Sequence, residues 1–216
     1  GAIGLWGSWL HQHAFIGHVD YARPTGNYHW IVPVVCAALL ILVLKTSASF
    51  DVVDSPLYLT FYMVMGAAWV GLALRFTGAA GISVRDDVIE RRNRAAAVAI
   101  GGAMIGCTFT FAGGNIGDGP GWWVVLFSSG LATVTLFVLW IILDAAGHVV
   151  DAITIDRDVA AGVRLGGFLV GQGLIVGRAV AGDWVSAGAT LRDFAVAAWP
   201  AVVLLGFAIL VEGLFR

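Results

Sequence analysis

The sequence predicts an all-α integral membrane protein of about six transmembrane helices, with a parallel internal duplication of two-helix units. Three observations predict it. Of 216 residues, 59% are hydrophobic and only 12% charged, with mean hydropathy +0.89. A soluble domain carries about 25% charged residues, because water-facing surface must be covered. Apolar runs long enough to cross a bilayer recur along the chain. Finally, residues 93–102 (NRAAAVAIGG) return 65 positions later at 158–167 (DVAAGVRLGG). The match extends back to Asp86 over Asp151 and Arg92 over Arg157, and forward to Gly106 over Gly171. Self-similarity at a fixed period sets the architectural unit.

Each segment follows in order. Residues 1–27 mix Leu5, Trp6, Trp9, Leu10 and Phe15 with His11, Gln12, His13 and His18. This reads as an interfacial amphipathic helix with Trp anchors, or as a contact with another subunit. No signal-peptide pattern is expected at the start, because the first long apolar run begins near Trp30. Residues 28–56 hold an extra first span, 28–44, with Pro33 inside it and Lys45 at its end. Repeat unit 1 covers 57–120, with spans at 57–76 and 94–113. The Gly- and Pro-rich stretch 114–121 then forces a tight turn. Repeat unit 2 covers 121–184, with spans at 121–143 and 159–181. Residues 185–216 hold an extra last span, 194–214. Two spans per unit return the chain to its starting side, so the copies are parallel, related by a pseudo-two-fold along the membrane normal. The basic residues Arg75, Arg85, Arg91, Arg92, Arg94 and Arg157, with Arg23 and Arg216, fall on one side. That side, and both termini, are therefore expected to be cytoplasmic.

Asn93 and Asp158 stand directly before the two Gly-rich spans, where a side-chain oxygen caps the free N–H groups of the first turn. Two helix starts brought together would also favour an anion. Gly102 and Gly106, matched by Gly167 and Gly171, place small residues one turn apart and predict close helix packing between units or protomers. Arg164 replaces Ala99 of the first copy. It either snorkels to the headgroups or pairs with a buried carboxylate or anionic ligand. Gln172 lies deeper and is expected to hydrogen-bond across helices. Glu212 and Arg216, at i and i+4, predict a weak helical ion pair. Asp144, His148 and Asp151 share one face if their helix continues, and that face could bind a divalent metal, relay protons or simply be solvated. His11, His13, His18 and His29 are weak candidates for a metal, haem or pigment. Cys36 and Cys107 sit in apolar runs and read as small buried residues.

The residues Asn93, Ala95, Ala96, Gly101 and Gly102, repeated as Asp158, Ala160, Ala161, Gly166 and Gly167, resemble the YjfL-type family of small bacterial inner-membrane proteins. The likeness runs over 57–184. It implies two tandem two-helix repeats, a bacterial inner membrane and no assigned activity. Asp158 in place of Asn, the N-terminal His/Trp segment and the first and last spans depart from that pattern.

No Ser/His/Asp order, no CxxC and no helical Glu-x-x-His appear, so no enzyme is expected. Net charge −2 offers no footprint for nucleic acid. No cofactor is firmly implied; membrane lipids and other membrane subunits, or a second copy, are the expected partners. The reading is a non-enzymatic membrane subunit packed through Gly-rich faces, within an energy-transducing or pigment-bearing complex or a homo-oligomer. A small channel or transporter with its site at the repeat interface is the alternative. A haem or metal protein using the N-terminal histidines is the weaker one.

Overall fold

The computed structural model describes residues 28–215, and the described chain is helical throughout, with only isolated bridges between Ala48 and residues Ile116 and Gly117. The helices are α1 (Tyr28–Thr46), α2 (Phe50–Asp54), α3 (Pro56–Phe76), α4 (Arg94–Gly113), α5 (Trp122–Gly147), α6 (Val149–Thr154), α7 (Val159–Ala179), α8 (Ala187–Ala197) and α9 (Trp199–Leu214). A π-helical turn, Val84–Glu90, links α3 to α4. Local chemistry sets these limits. Pro56 opens α3, where its missing N–H costs nothing, and the Ser55 hydroxyl accepts from the Tyr58 N–H. Lys45 ends α1 by donating to the Val53 carbonyl at 2.8 Å, tying α1 to α2.

α4 and α7 form the centre. They meet without side chains between them. A methyl group added to Gly102 would fall on the backbone of Gly166, and one on Gly113 on that of Gly177. Methyls on Gly162 and Gly173 would strike the backbone of Ala95 and Gly106. The touching positions advance in the same direction along both helices, so α4 and α7 run parallel. Around them lie α1, α3 and α5, and the core they share includes Leu40, Phe111, Leu136, Trp140, Leu165 and Leu169.

Of the four glycines singled out for packing, Gly102 and Gly106 lie on this seam. Gly167 faces open space, and Gly171 faces the Leu204 side chain of α9. α7 instead offers Gly162, Gly166, Gly173 and Gly177. Matching residues between copies aligns positions but leaves helix rotation free. One residue turns the contacting face by about 100° at 3.6 residues per turn.

Four helices are long and apolar enough to cross a membrane: Pro56–Phe76, Arg94–Gly113, Trp122–Gly147 and Val159–Ala179. α8 and α9 supply a fifth if the pair, bent by 43°, is one span. Among the described residues, length and composition thus qualify four or five of the expected six. The stretch read as the first span forms α1, whose 19 residues fall within the ~17–25 that can cross a bilayer; Ile31–Thr46 is its apolar part. The last span is longer than expected and broken at Ala198, where Pro200 begins a new helix more easily than it continues an old one.

The seam separates two glycines that are equivalent in sequence. Gly102→Leu should lower stability by about 3 kcal/mol or abolish folding, since overpacking against backbone has no flexible neighbour to yield. Gly167→Leu should leave the melting temperature in detergent near that of the parent. Equal effects would refute the assignment of the contact face.

Candidate functional site

Polar side chains of the interior lie at the starts of α4 and α7 and at contacts between helices. Arg92 and Arg157 both adopt left-handed backbone (φ 51° and 57°) immediately before the caps of α4 and α7. The Asn93 N–H then donates to the Asp87 carbonyl and the Asp158 N–H to that of Ala152, each at 2.9 Å. Asn93 is buried. Its Oδ1 accepts from the Ala95 and Ala96 N–H groups at 2.9 and 3.3 Å, while its Nδ2 donates to the Ile153 carbonyl at 2.6 Å. An amide serves both functions; a carboxylate has no proton for Ile153. Asp158 caps α7 through the Ala160 N–H at 2.8 Å and needs no donor, so the Asn-to-Asp departure tracks what each side chain meets.

Arg164 reaches inward rather than out to the headgroups. Its Nε and Nη2 donate to the two carboxylate oxygens of Glu212 at 2.8 and 3.0 Å, and Asp158 Oδ2 lies 3.9 Å away. The Phe215 ring covers the guanidinium at 4.6 Å. The Glu212 side chain is 6% exposed. Its bidentate partner is Arg164; Arg216, the expected i,i+4 partner, lies outside the described residues. Gly147 makes room: a methyl there would approach the Glu212 Cβ to 3.1 Å. Gln172 also links α7 to α9, donating to the Ala201 carbonyl at 2.8 Å. Sequence reasoning missed a further stitch. Trp69 Nε1 donates to Thr133 Oγ1 at 3.1 Å, and Thr133 shares a 2.7 Å hydrogen bond with Thr110, joining α3, α5 and α4.

The expected common face of Asp144, His148 and Asp151 does not form. α5 stops at Gly147, and His148 takes a left-handed conformation (φ 46°). Asp144 Oδ1 turns to the Val150 N–H at 2.9 Å, which starts α6. His148 and Asp151 remain 3.8 Å apart, both exposed. Among the described residues no three His, Cys, Asp or Glu side chains gather as metal ligands. His11, His13 and His18 lie outside the described residues, as does the side chain of His29. Cys36 and Cys107 are buried and free.

At the opposite end the loops after α4 and α7 bind each other. Gly182 N–H donates to the Ile116 carbonyl, Trp184 N–H to that of Asp118, and Asp118 N–H to Asp183 Oδ1. Gly117 and Gly182 both take positive φ to permit this approach.

A family model described as a Domain of Unknown Function (DUF350) matches residues 51–180. The chain belongs to the DUF350 family. No curated protein and no solved structure matches it. The DUF350 region contains α3 to α7, including the glycine seam, Asn93 and the Asn93–Ile153 link. α1, α8 and α9 lie outside it. Arg164 and Gln172 thus use DUF350 positions to hold a helix beyond the family region.

Two substitutions test these assignments. Glu212→Leu should cost about 3–5 kcal/mol by leaving Arg164 without its buried partner, and adding Arg164→Leu should restore most of that loss in a double-mutant cycle. Additive losses would show that the pair is not coupled. Asn93→Asp should destabilise by about 1–3 kcal/mol through the orphaned Ile153 carbonyl, whereas Asp158→Asn should stay within about 0.5 kcal/mol of the parent.

Proposed function

We propose that this DUF350 chain is a non-enzymatic integral membrane subunit, a rigid helical body that serves a larger membrane assembly or a homo-oligomer. One observation carries the reading: six of the interior polar side chains join one element to another. Asn93, Arg164, Gln172, Thr110, Thr133 and Glu212 each bond a neighbouring element. Unpaired intramembrane charge usually marks a pathway or a reaction centre; here the deep carboxylate is neutralised by a bidentate arginine. Outside the core, α9 turns Val202, Val203, Phe207 and Leu210 outward, an apolar row suited to lipid or to another transmembrane helix. The arginines near the start of α4 and α7 support a cytoplasmic placement of that end, in a bacterial inner membrane.

A channel or transporter working at the repeat interface draws less support. The α4–α7 seam is backbone on backbone, and its parting would uncover glycine faces with no side chains to bridge them.

Purification in mild detergent followed by native mass spectrometry should yield the chain with companion subunits or as a defined oligomer. A solitary monomer at every gentle condition, or ion flux in liposomes abolished by Arg164→Ala in a folded variant, would contradict the proposal.

A further inference from the structure

A groove of about 750 Å³ runs along the outside of the α4–α7 seam, beside Val32 of α1. That volume falls within the range of about 300–1,000 Å³ typical of ligand pockets. Its floor is the bare backbone of Gly101 and Gly167, and its walls are Val98 and Val163. Arg94 is the charged residue of its lining and stands at one end. Arg94 makes no ion pair among the described residues; Asp158, at the same end, is held by the Ala160 N–H and lies beside Arg164 instead.

The geometry points to an anionic phospholipid as the occupant, with its phosphate at Arg94 and one acyl chain in the groove. Three features select it. The walls are apolar, and the floor lacks side chains, which leaves a slot a flexible hydrocarbon can fill. Negative charge is favoured at Arg94, an exposed cation at the mouth, while the first-turn N–H groups beside it are taken by the Asn93 and Asp158 caps. The length also fits. From Arg94 to Ile105, and from Val159 to Val170, each wall rises about 16 Å at 1.5 Å per residue, close to half of the ~30 Å hydrocarbon core. A partner transmembrane helix would use the full thickness; a lipid chain descends from headgroup to midplane and stops.

The test uses the full chain in nanodiscs of equal parts phosphatidylcholine and phosphatidylglycerol, released and weighed by native mass spectrometry. The parent should retain phosphatidylglycerol preferentially. Arg94→Gln, a change at an exposed side chain, should reduce that preference about tenfold, the loss of one charge-assisted contact. Gly167→Leu, which extends into open space, should remove retained lipid of both kinds. Equal retention of the two lipids by the parent, or an unchanged preference in Arg94→Gln, overturns the proposal. A photo-reactive phenylalanine at Val163 gives a second reading: an adduct of lipid mass supports it. An adduct joining two chains, or joining residues 1–27 to α7, places protein in the groove and overturns it.

Discussion

In a bilayer, two apolar helices gain little by leaving lipid for each other, because lipid tails are as apolar as leucine. What holds them is close van der Waals contact, and its extent depends on how near the axes can come. In this chain the absence of Cβ atoms at Gly102, Gly113, Gly162, Gly166, Gly173 and Gly177 allows α4 and α7 to touch by their backbones. At five of these glycines a methyl group would collide with main chain, and at Gly166 it would meet the Val98 carbonyl oxygen at 3.1 Å. Most of α4 is buried as a result, and α1, α3 and α5 arrange themselves around a pair that acts as one thick element. The loop pairing at one end and the Asn93–Ile153 bond at the other close the pair at both termini.

The polar chemistry is subordinate to that contact. Asn93 begins α4 and fastens α6 to it, and Arg164 and Gln172 fasten α9 to α7. A guanidinium and a carboxylate in this setting stay only because each satisfies the other, with Phe215 over the arginine face. The DUF350 match stops at residue 180, so these bonds reach across its boundary. The family core is one packed object; α1 packs into it through Leu40 and Leu44, and α9 is attached through Arg164 and Gln172.

Much of this was legible beforehand. Long apolar runs with glycine at helical spacing announce close-packed membrane helices, and a side chain such as Asn93 before the run announces its start. Gln172 is legible as an interhelical hydrogen bonder because an amide in hydrocarbon must find a partner. The rest required three dimensions. Helix rotation decided that Gly166 and not Gly167 meets Gly102. The left-handed turn at His148 dispersed a face that periodicity had assembled from Asp144, His148 and Asp151. Sequence spacing offers Glu212 only its neighbour Arg216, whereas the fold brings it Arg164 from 48 positions away. One signal was available: a carboxylate inside the last apolar run and an arginine inside an earlier one are two costly charges that together cost less.

The parallel, direct contact of α4 with α7 is the claim on which everything else rests. Spin-label distances test it most directly, with labels at Val98 and Val163 in one variant and at Val98 and Arg178 in another, all exposed sites. The account predicts a short distance for the first pair and a longer one for the second, by roughly 20 Å, from the 1.5 Å rise per residue between positions 163 and 178. A reversed order would mean antiparallel helices, and two long distances would mean that the helices do not touch; either would contradict the account.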